Sequence, residues 1–209
     1  MSNKILDFFD GAFYINLEKR PDRREAFEER SKKCGINVER FPAISIDGES
    51  TKHCGTYSHI EVVKEAKKRN YNNCIIFEDD CVFVDNFLEK LNMCVDYLKN
   101  NEWDMFYMGG ELAGNSTTIN QYVANCAGMY GAHAYVVNKS FYDRIAKLDF
   151  RFGVIDTIYI NMSNRKYLMA NEILAFQDPS FYSDLWGGFI YRDDAYKQSY
   201  KKYLKYENG

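Results

Sequence analysis

A short apolar run, Cys74-Ile75-Ile76-Phe77, ends on three consecutive acids, Glu78-Asp79-Asp80. The run follows a polar turn at Asn72-Asn73 and reads as a buried strand. Carboxylates at its C-terminal end then fall on the edge of a sheet. That edge is where ligands bind in open α/β folds. Adjacent carboxylates repel one another unless a cation lies between them, and hard cations such as Mg²⁺ or Mn²⁺ favour oxygen ligands. A solvated acidic loop fits the same triplet, so the triplet alone leaves both readings open.

The chain around it alternates strands and helices without an internal repeat. Ala12 to Leu17 reads as a strand and Pro21 to Cys34 as a helix, with Pro21 in its first turn and Gly35 at its end. Val38 to Ile46 looks extended. Thr56 to Lys68 looks helical, with Ser58 or Thr56 as N-cap. Phe87, Leu91, Val95 and Leu98 keep helical spacing, so Asn86 to Lys99 is expected to be an amphipathic helix. Met105 to Met108 is a strand stopped by Gly109-Gly110, and Ala113 to Asn120 a polar loop. Ala132 to Val137 is a strand, Ser140 to Leu148 a helix, Asp156 to Met162 another helix and Ile173 to Phe176 a late strand. This order predicts an α/β fold with a mainly parallel central sheet flanked by helices.

At 209 residues one domain over 1–209 is the default. A net charge of -3 gives no global attraction to nucleic acid. None of the six cysteines forms a C-x-x-C pair and histidine is scarce, which argues against a structural zinc site and for a reducing, cytoplasmic setting. The apolar part of the N-terminus is too short and too acidic for a signal peptide, and no run approaches a membrane span. The stretch 191–206 is dense in Tyr and Lys, with Tyr196, Tyr200, Tyr203 and Leu204 near one helical face. It is expected to be a helix packed on the domain; peripheral contact with a membrane surface or an anionic acceptor is the alternative.

Several further segments reach the same sheet edge. Asn16-Leu17-Glu18-Lys19-Arg20-Pro21-Asp22-Arg23 forms the first strand-to-helix turn. Arg20 and Arg23 suit bidentate pairing with phosphate, with Asp22 holding Arg23, although a charged first helical turn needs no ligand. No dinucleotide fingerprint or P-loop supports this turn. Gly55-Thr56-Tyr57-Ser58-His59 places hydroxyls and an imidazole where a helix start would offer free N–H groups to an anion; an ordinary N-cap explains Ser58 as well. His133 enters an apolar strand, the usual setting of a core histidine. Asp156 follows the flexible Gly153, as an N-cap also would. Gln177-Asp178 and Asp184 follow the last strand.

Taken in order, these segments resemble glycosyltransferase family 25. The likeness rests on Tyr14-Ile15-Asn16-Leu17 with Arg20, Asp22 and Arg23, then Phe41-Pro42-Ala43-Ile44 with Asp47-Gly48. It continues through Gly55, Ser58-His59, the acidic triplet and Gly131-x-His133-Ala134-Tyr135, and ends at Asp156 and Ser183-Asp184. The resemblance implies a GT-A type fold, a nucleotide-sugar donor (a UDP-sugar foremost), Mn²⁺ or Mg²⁺, and an inverting transfer of a hexose to a glycan, glycolipid or protein acceptor. Under it Asp80 coordinates the metal, with Glu78 and His133 as further ligands. Glu78 and Asp79 also face the donor, Asn16, Arg20 and Arg23 line the nucleotide side, and Ser58 and His59 position the donor. Asp156 and Asp184 are the candidates for the base that takes the acceptor proton, with Asp156 favoured. A metal-dependent phosphohydrolase, a nucleotidyltransferase and a silent nucleotide-sugar or glycan-binding domain are the rival readings.

Overall fold

The structure, a computed structural model, describes residues 8–184 and 188–189. The expected C-terminal helix at 191–206, the segment before Phe8 and the Leu185-Trp186 pair lie outside the described residues. Strands form in chain order at β1 (Gly11–Asn16), β2 (Glu39–Pro42), β3 (Asn73–Glu78), β4 (Cys81–Phe83), β5 (Met105–Tyr107), β6 (Glu111–Leu112) and β7 (Ser116–Thr118). They continue with β8 (Val123–Cys126), β9 (Met129–Tyr130), β10 (Ala134–Asn138), β11 (Tyr167–Ala170) and β12 (Ala175–Gln177), and a short pair joins Tyr182–Ser183 to Gly188–Phe189. The helices are α1 (Pro21–Cys34), α2 (Thr51–Lys68), α3 (Phe87–Asn100), α4 (Lys139–Ala146) and α5 (Ile155–Asn161).

The central sheet has eight strands in the order β2-β1-β3-β10-β5-β11-β8-β7. Parallel pairing joins β1 to β2 and β3, and β5 to β11, whereas β10 and β8 run against their neighbours. All strands but those two therefore point the same way, and the expected α/β class with a mainly parallel sheet holds. Side chains alternate cleanly across it, as a period of two requires. Phe13, Ile15, Cys74, Ile76, Tyr107, Tyr135 and Val137 join the core beneath α2, α4 and α5. Tyr14, Ile75, Phe77, Phe106, Ala134 and Val136 join the core on the other face, with Phe27 of α1 and Phe87, Leu91 and Val95 of α3. The layers are thus helix, sheet, helix.

Local chemistry explains the element ends. Pro21 opens α1, whose missing N–H costs nothing at that position. Gly35 closes it in the left-handed region at φ 73°, where its N–H reaches the Lys32 carbonyl. Helix α2 starts earlier than the sequence suggests: Ser50, not Thr56 or Ser58, is its N-cap and accepts from the His53 N–H. The expected polar loop at Ala113 to Asn120 contains β7, a short polar edge strand paired with β8. Such polarity is how exposed edges avoid further pairing. Strands β8 and β11 are only four residues each, too short to announce themselves by periodicity.

Strands β4 and β12 pair outside the main sheet and bring Gln177 opposite Cys81, directly after the acidic triplet. Gly109 lets this happen. A Cβ there would lie 1.8 Å from the Ala175 carbonyl oxygen, which is backbone and has no rotamer to escape through. Gly109→Ala is therefore expected to destabilise the protein by about 1–3 kcal/mol, through overpacking at a site that cannot relax. Thermal unfolding should show it as a drop on the order of 2–4 °C per kcal/mol, and an unchanged midpoint would refute the close approach.

Candidate active site

The C-terminal ends of β1 and β3 and the start of β10 meet at one sheet edge. A cavity of about 260 Å³ opens there between that edge and α2, with Arg23, His59, Glu78, Asp80, Asp156 and Asp184 among its walls. The triplet is its floor. Strand β3 is fixed between β1 and β10, and Glu78 is tied further by its N–H to the His133 carbonyl, so the acids arrive at a rigid position.

Each acid has a different environment. Asp79 is buried between Arg23 and Asn16, whose Nδ2 donates to its Oδ2 at 2.7 Å. Asp80 pairs with Arg23 Nη2 at 2.8 Å, and its Oδ1 is buried without a hydrogen-bond partner. Glu78 is braced on both oxygens, with His59 Nε2 3.3 Å from Oε1 and Gln177 Nε2 3.3 Å from Oε2. Gln177 also lies 3.4 Å from Asp80 Oδ2. Burial pushes Asp79 up to about 6 and Asp80 up to about 7, against the pull of Arg23. Burial acts on Glu78 as well. There the hydrogen bond from His59 and the charge of Arg23 oppose it and hold the carboxyl below its usual range.

The arginines are not surface residues. Arg23 is 8% exposed and reaches Asp79 and Asp80 at once. Arg20 pairs with Asp22 at 2.8 Å and with Asp184 Oδ2 at 2.5 Å. Asp22 thus holds Arg20, not Arg23 as its spacing suggested, because α1 turns Arg23 inward to the triplet. Lys19 adds a third cation 3.6 Å from Asp184. The Phe181 ring, unmarked by any sequence signal, lies within 6.0 Å of the guanidinium carbons of Arg20, Arg23 and Arg30.

Other candidates take structural positions. Asn16 is buried and fully engaged: it donates to Asp79 and to the Arg20 carbonyl and accepts from Arg40 Nε. It orients Asp79. Ser58 lies inside α2, not at its start, so Gly55 to His59 offers no free helix N-terminus. Its hydroxyl accepts from the Ile44 N–H and donates to the Cys54 carbonyl, tying the β2–α2 loop to the cavity wall. His133 is fully buried with Nε2 3.1 Å from the Ala175 carbonyl. A carbonyl only accepts, so Nε2 carries the proton and is closed to a metal. Asp156 is not an N-cap, since Val154 holds that position. It lies in the first turn of α5, where its Oδ2 accepts from the Gly131 N–H at 2.9 Å and its Oδ1 from the Thr157 N–H at 2.6 Å.

With this geometry in place, the likeness to known proteins becomes informative. Residues 50–148 match glycosyltransferase family 25, described as lipopolysaccharide biosynthesis protein. The match covers less than half of the chain. The matched segment takes in Ser58, His59, the triplet and His133, and stops short of Asp156 and Asp184. No curated protein sequence matches the chain. Among solved structures, A197 from STIV is 9% identical and superposes with a TM-score of 0.50 over 82% of this chain and 95% of its own. A glycosyltransferase involved in the glycosylation of the major capsid of PBCV-1 is 12% identical, with a TM-score of 0.45 over 92% and 91%. A UDP-glucose pyrophosphorylase complexed with UDP-glucose is 7% identical, with a TM-score of 0.48 over 94% and 81%. At such identities the likeness speaks for fold alone.

Among the described residues no three His, Cys, Asp or Glu side chains converge into a ready metal cage. The donor set nevertheless suits a hard divalent cation. Asp80 Oδ1 is a buried carboxylate oxygen with no donor, and such ions are commonly bound by one or two carboxylates plus substrate phosphates.

The raised values of Asp79 and Asp80 make the acids a stability burden in metal-free protein. An acid whose folded value lies above its unfolded value of 3.8 favours folding when protonated. That contribution is complete below about 3.8 and is lost as pH rises through about 6 to 7. Asp80→Asn is therefore expected to unfold at a higher temperature than wild type at pH 8 in chelator-treated buffer. A gain of about 1 kcal/mol corresponds to roughly 2–4 °C for a chain of this size. The gap should close towards pH 4. A variant less stable than wild type at pH 8 would contradict the sign.

Proposed function

We propose that this protein is a glycosyltransferase that moves a hexose from a nucleotide-sugar, a UDP-sugar foremost, to a hydroxyl of a glycan, glycolipid or protein acceptor, with inversion and with Mn²⁺ or Mg²⁺. The observation that carries this reading is one cavity that joins a buried acidic strand end, with an unpartnered carboxylate oxygen, to Asp184, which Arg20 and Lys19 pair. Glycosyl transfer separates a sugar that gains positive charge from a diphosphate that gains negative charge. A divalent cation at Asp80 Oδ1 would stabilise the leaving diphosphate without proton transfer.

The chain's own groups fit the remaining needs. Arg20 is less buried than Arg23 and forms its pairs with Asp22 and Asp184 at the cavity rim, which suits it to a diphosphate. Arg23 stays on Asp79 and Asp80 and offsets their mutual repulsion. Asp184 is engaged by Arg20 and Lys19, so its part lies with the phosphate-side cations. Asp156 stands on the α5 wall with its oxygens oriented by backbone N–H groups and with no cation paired to it among the described residues. It is the better placed acid to receive the acceptor proton.

A panel of nucleotide sugars tested for thermal stabilisation with and without Mn²⁺, then for turnover, tests the donor. Stabilisation by UDP-sugars only with the cation is the expected result; none with any donor would defeat the reading. Arg20→Ala is expected to weaken binding of UDP more than that of uridine, because a charge-assisted bond contributes about 1.5–3 kcal/mol. Equal effects on both ligands would make Arg20 a rim ion-pair residue only. Asp156→Asn should retain UDP and Mn²⁺ affinity and lose about 10²–10⁴-fold in transfer rate. Near-normal transfer in that variant would move the base elsewhere.

A further inference from the structure

Beneath the cavity floor a chain of buried polar groups runs from Glu78 to helix α5. Glu78 Oε1 meets His59 Nε2 at 3.3 Å, His59 Nδ1 meets the Tyr135 hydroxyl at 2.8 Å, and Tyr135 meets the Tyr159 hydroxyl at 3.4 Å. The residues come from four elements: β3, α2, β10 and α5. His59 is 4% exposed and both tyrosines are fully buried. The His59 and Tyr135 rings stack with centroids 5.8 Å apart, and Tyr159 meets Tyr135 edge-on at 5.9 Å. Tyr159 lies one turn after Asp156 on α5, so the chain links the Asp156 wall to the Glu78 floor.

A carboxylate only accepts, so His59 Nε2 carries a proton. With the ring neutral, Nδ1 has a lone pair that accepts the hydrogen bond of the Tyr135 O–H. Tyr135 has one proton, so Tyr159 donates to the Tyr135 oxygen. Burial drives both phenols above their usual range, and each keeps its proton. Phenylalanine would pack these rings without hydroxyls to satisfy; buried hydroxyls are costly unless paired, and a fully paired network fixes one arrangement.

We propose that Tyr135, supported by Tyr159, is a positioning residue: its hydroxyl locks His59 as the Nε2–H tautomer, which holds the Glu78 carboxylate in the orientation that meets the donor. The donor part rests on the proposed nucleotide-sugar reading; the tautomer part does not. The role parallels that of groups behind metal-bound histidines, whose loss commonly lowers affinity or activity about 10–100-fold.

Tyr135→Phe tests it without changing ring packing. Ring-nitrogen NMR of the ¹⁵N-labelled protein, which has three histidines, reads the His59 tautomer, with His59→Asn supplying the assignment. Calorimetry with UDP in the presence of Mn²⁺ reads the site. Wild type is expected to show a single Nε2–H form, and Tyr135→Phe a mixture with Nδ1–H and about 10-fold weaker UDP binding. Tyr159→Phe should produce the same changes to a smaller extent. A charged imidazolium in wild type, an unchanged tautomer in Tyr135→Phe, or a changed tautomer with unchanged UDP affinity would each overturn the proposal. Failure of wild type to bind UDP would instead count against the nucleotide-sugar donor and, with it, the donor half of the proposal; the tautomer readout would still decide the lock.

Discussion

A single buried guanidinium allows the acidic floor to exist. Arg23 reaches Asp79 and Asp80 together, and without it two adjacent carboxylates would lie buried with only amide partners. Removing one partner from such a buried cluster typically costs about 3–5 kcal/mol, because charge is left without compensation. The position of Arg23 depends in turn on Pro21 starting α1 after the short turn Leu17 to Arg20. A helix beginning a residue or two later would turn that side chain away from β3. The compensation is also incomplete: one guanidinium faces two acids, and Asp80 retains an oxygen with no donor. That remaining acceptor is what a cationic or proton-donating ligand would meet.

The three acids are chemically unequal even though they are neighbours in sequence. Glu78 turns towards α2 and the imidazole of His59. Asp79 and Asp80 turn towards α1 and share Arg23. Strand β3 ends at Glu78 and the chain turns at Asp79-Asp80, so the two aspartates leave the strand's alternation and reach the other wall together. Gln177, arriving from β12, then bridges Glu78 and Asp80 across that division.

Much of this was legible in the chain. The buried strand Cys74 to Phe77, the helix from Pro21 to Cys34 with Gly35 at its end, and the edge shared by Arg20, Arg23 and the triplet all follow from local patterns, and all are present. The misplaced features have a common physical cause. Ser58 looks like an N-cap because hydroxyls satisfy helix starts, but Ser50 does so about two turns earlier and leaves Ser58 to bond a carbonyl inside the helix. His133 carries no local mark of whether its ring meets solvent or the backbone of a strand forty residues on. Asn16, Gln177 and Tyr135 acquire their parts only through contacts between distant segments, which spacing along the chain does not encode. Strands of three or four residues, such as β8 and β11, exist because neighbours pair with them.

The strand order also governs how the molecule can come together. Strand β11 sits between β5 and β8, so the edge of β5 stays open until residues 167–170 have been made. The β7–β8 hairpin, although complete by residue 126, has no place in the sheet before then. During synthesis from the N-terminus the nascent chain would hold a wholly apolar strand, Met105–Tyr107, paired with β10 on one edge and open on the other, beside a hairpin awaiting its docking site. Such exposed edges are where growing chains pair wrongly with one another. The segment that bears the family likeness ends at 148, before that gap is filled. Cut out alone, it would lack both β1 and β11, and with them the neighbours that close β3 and β5.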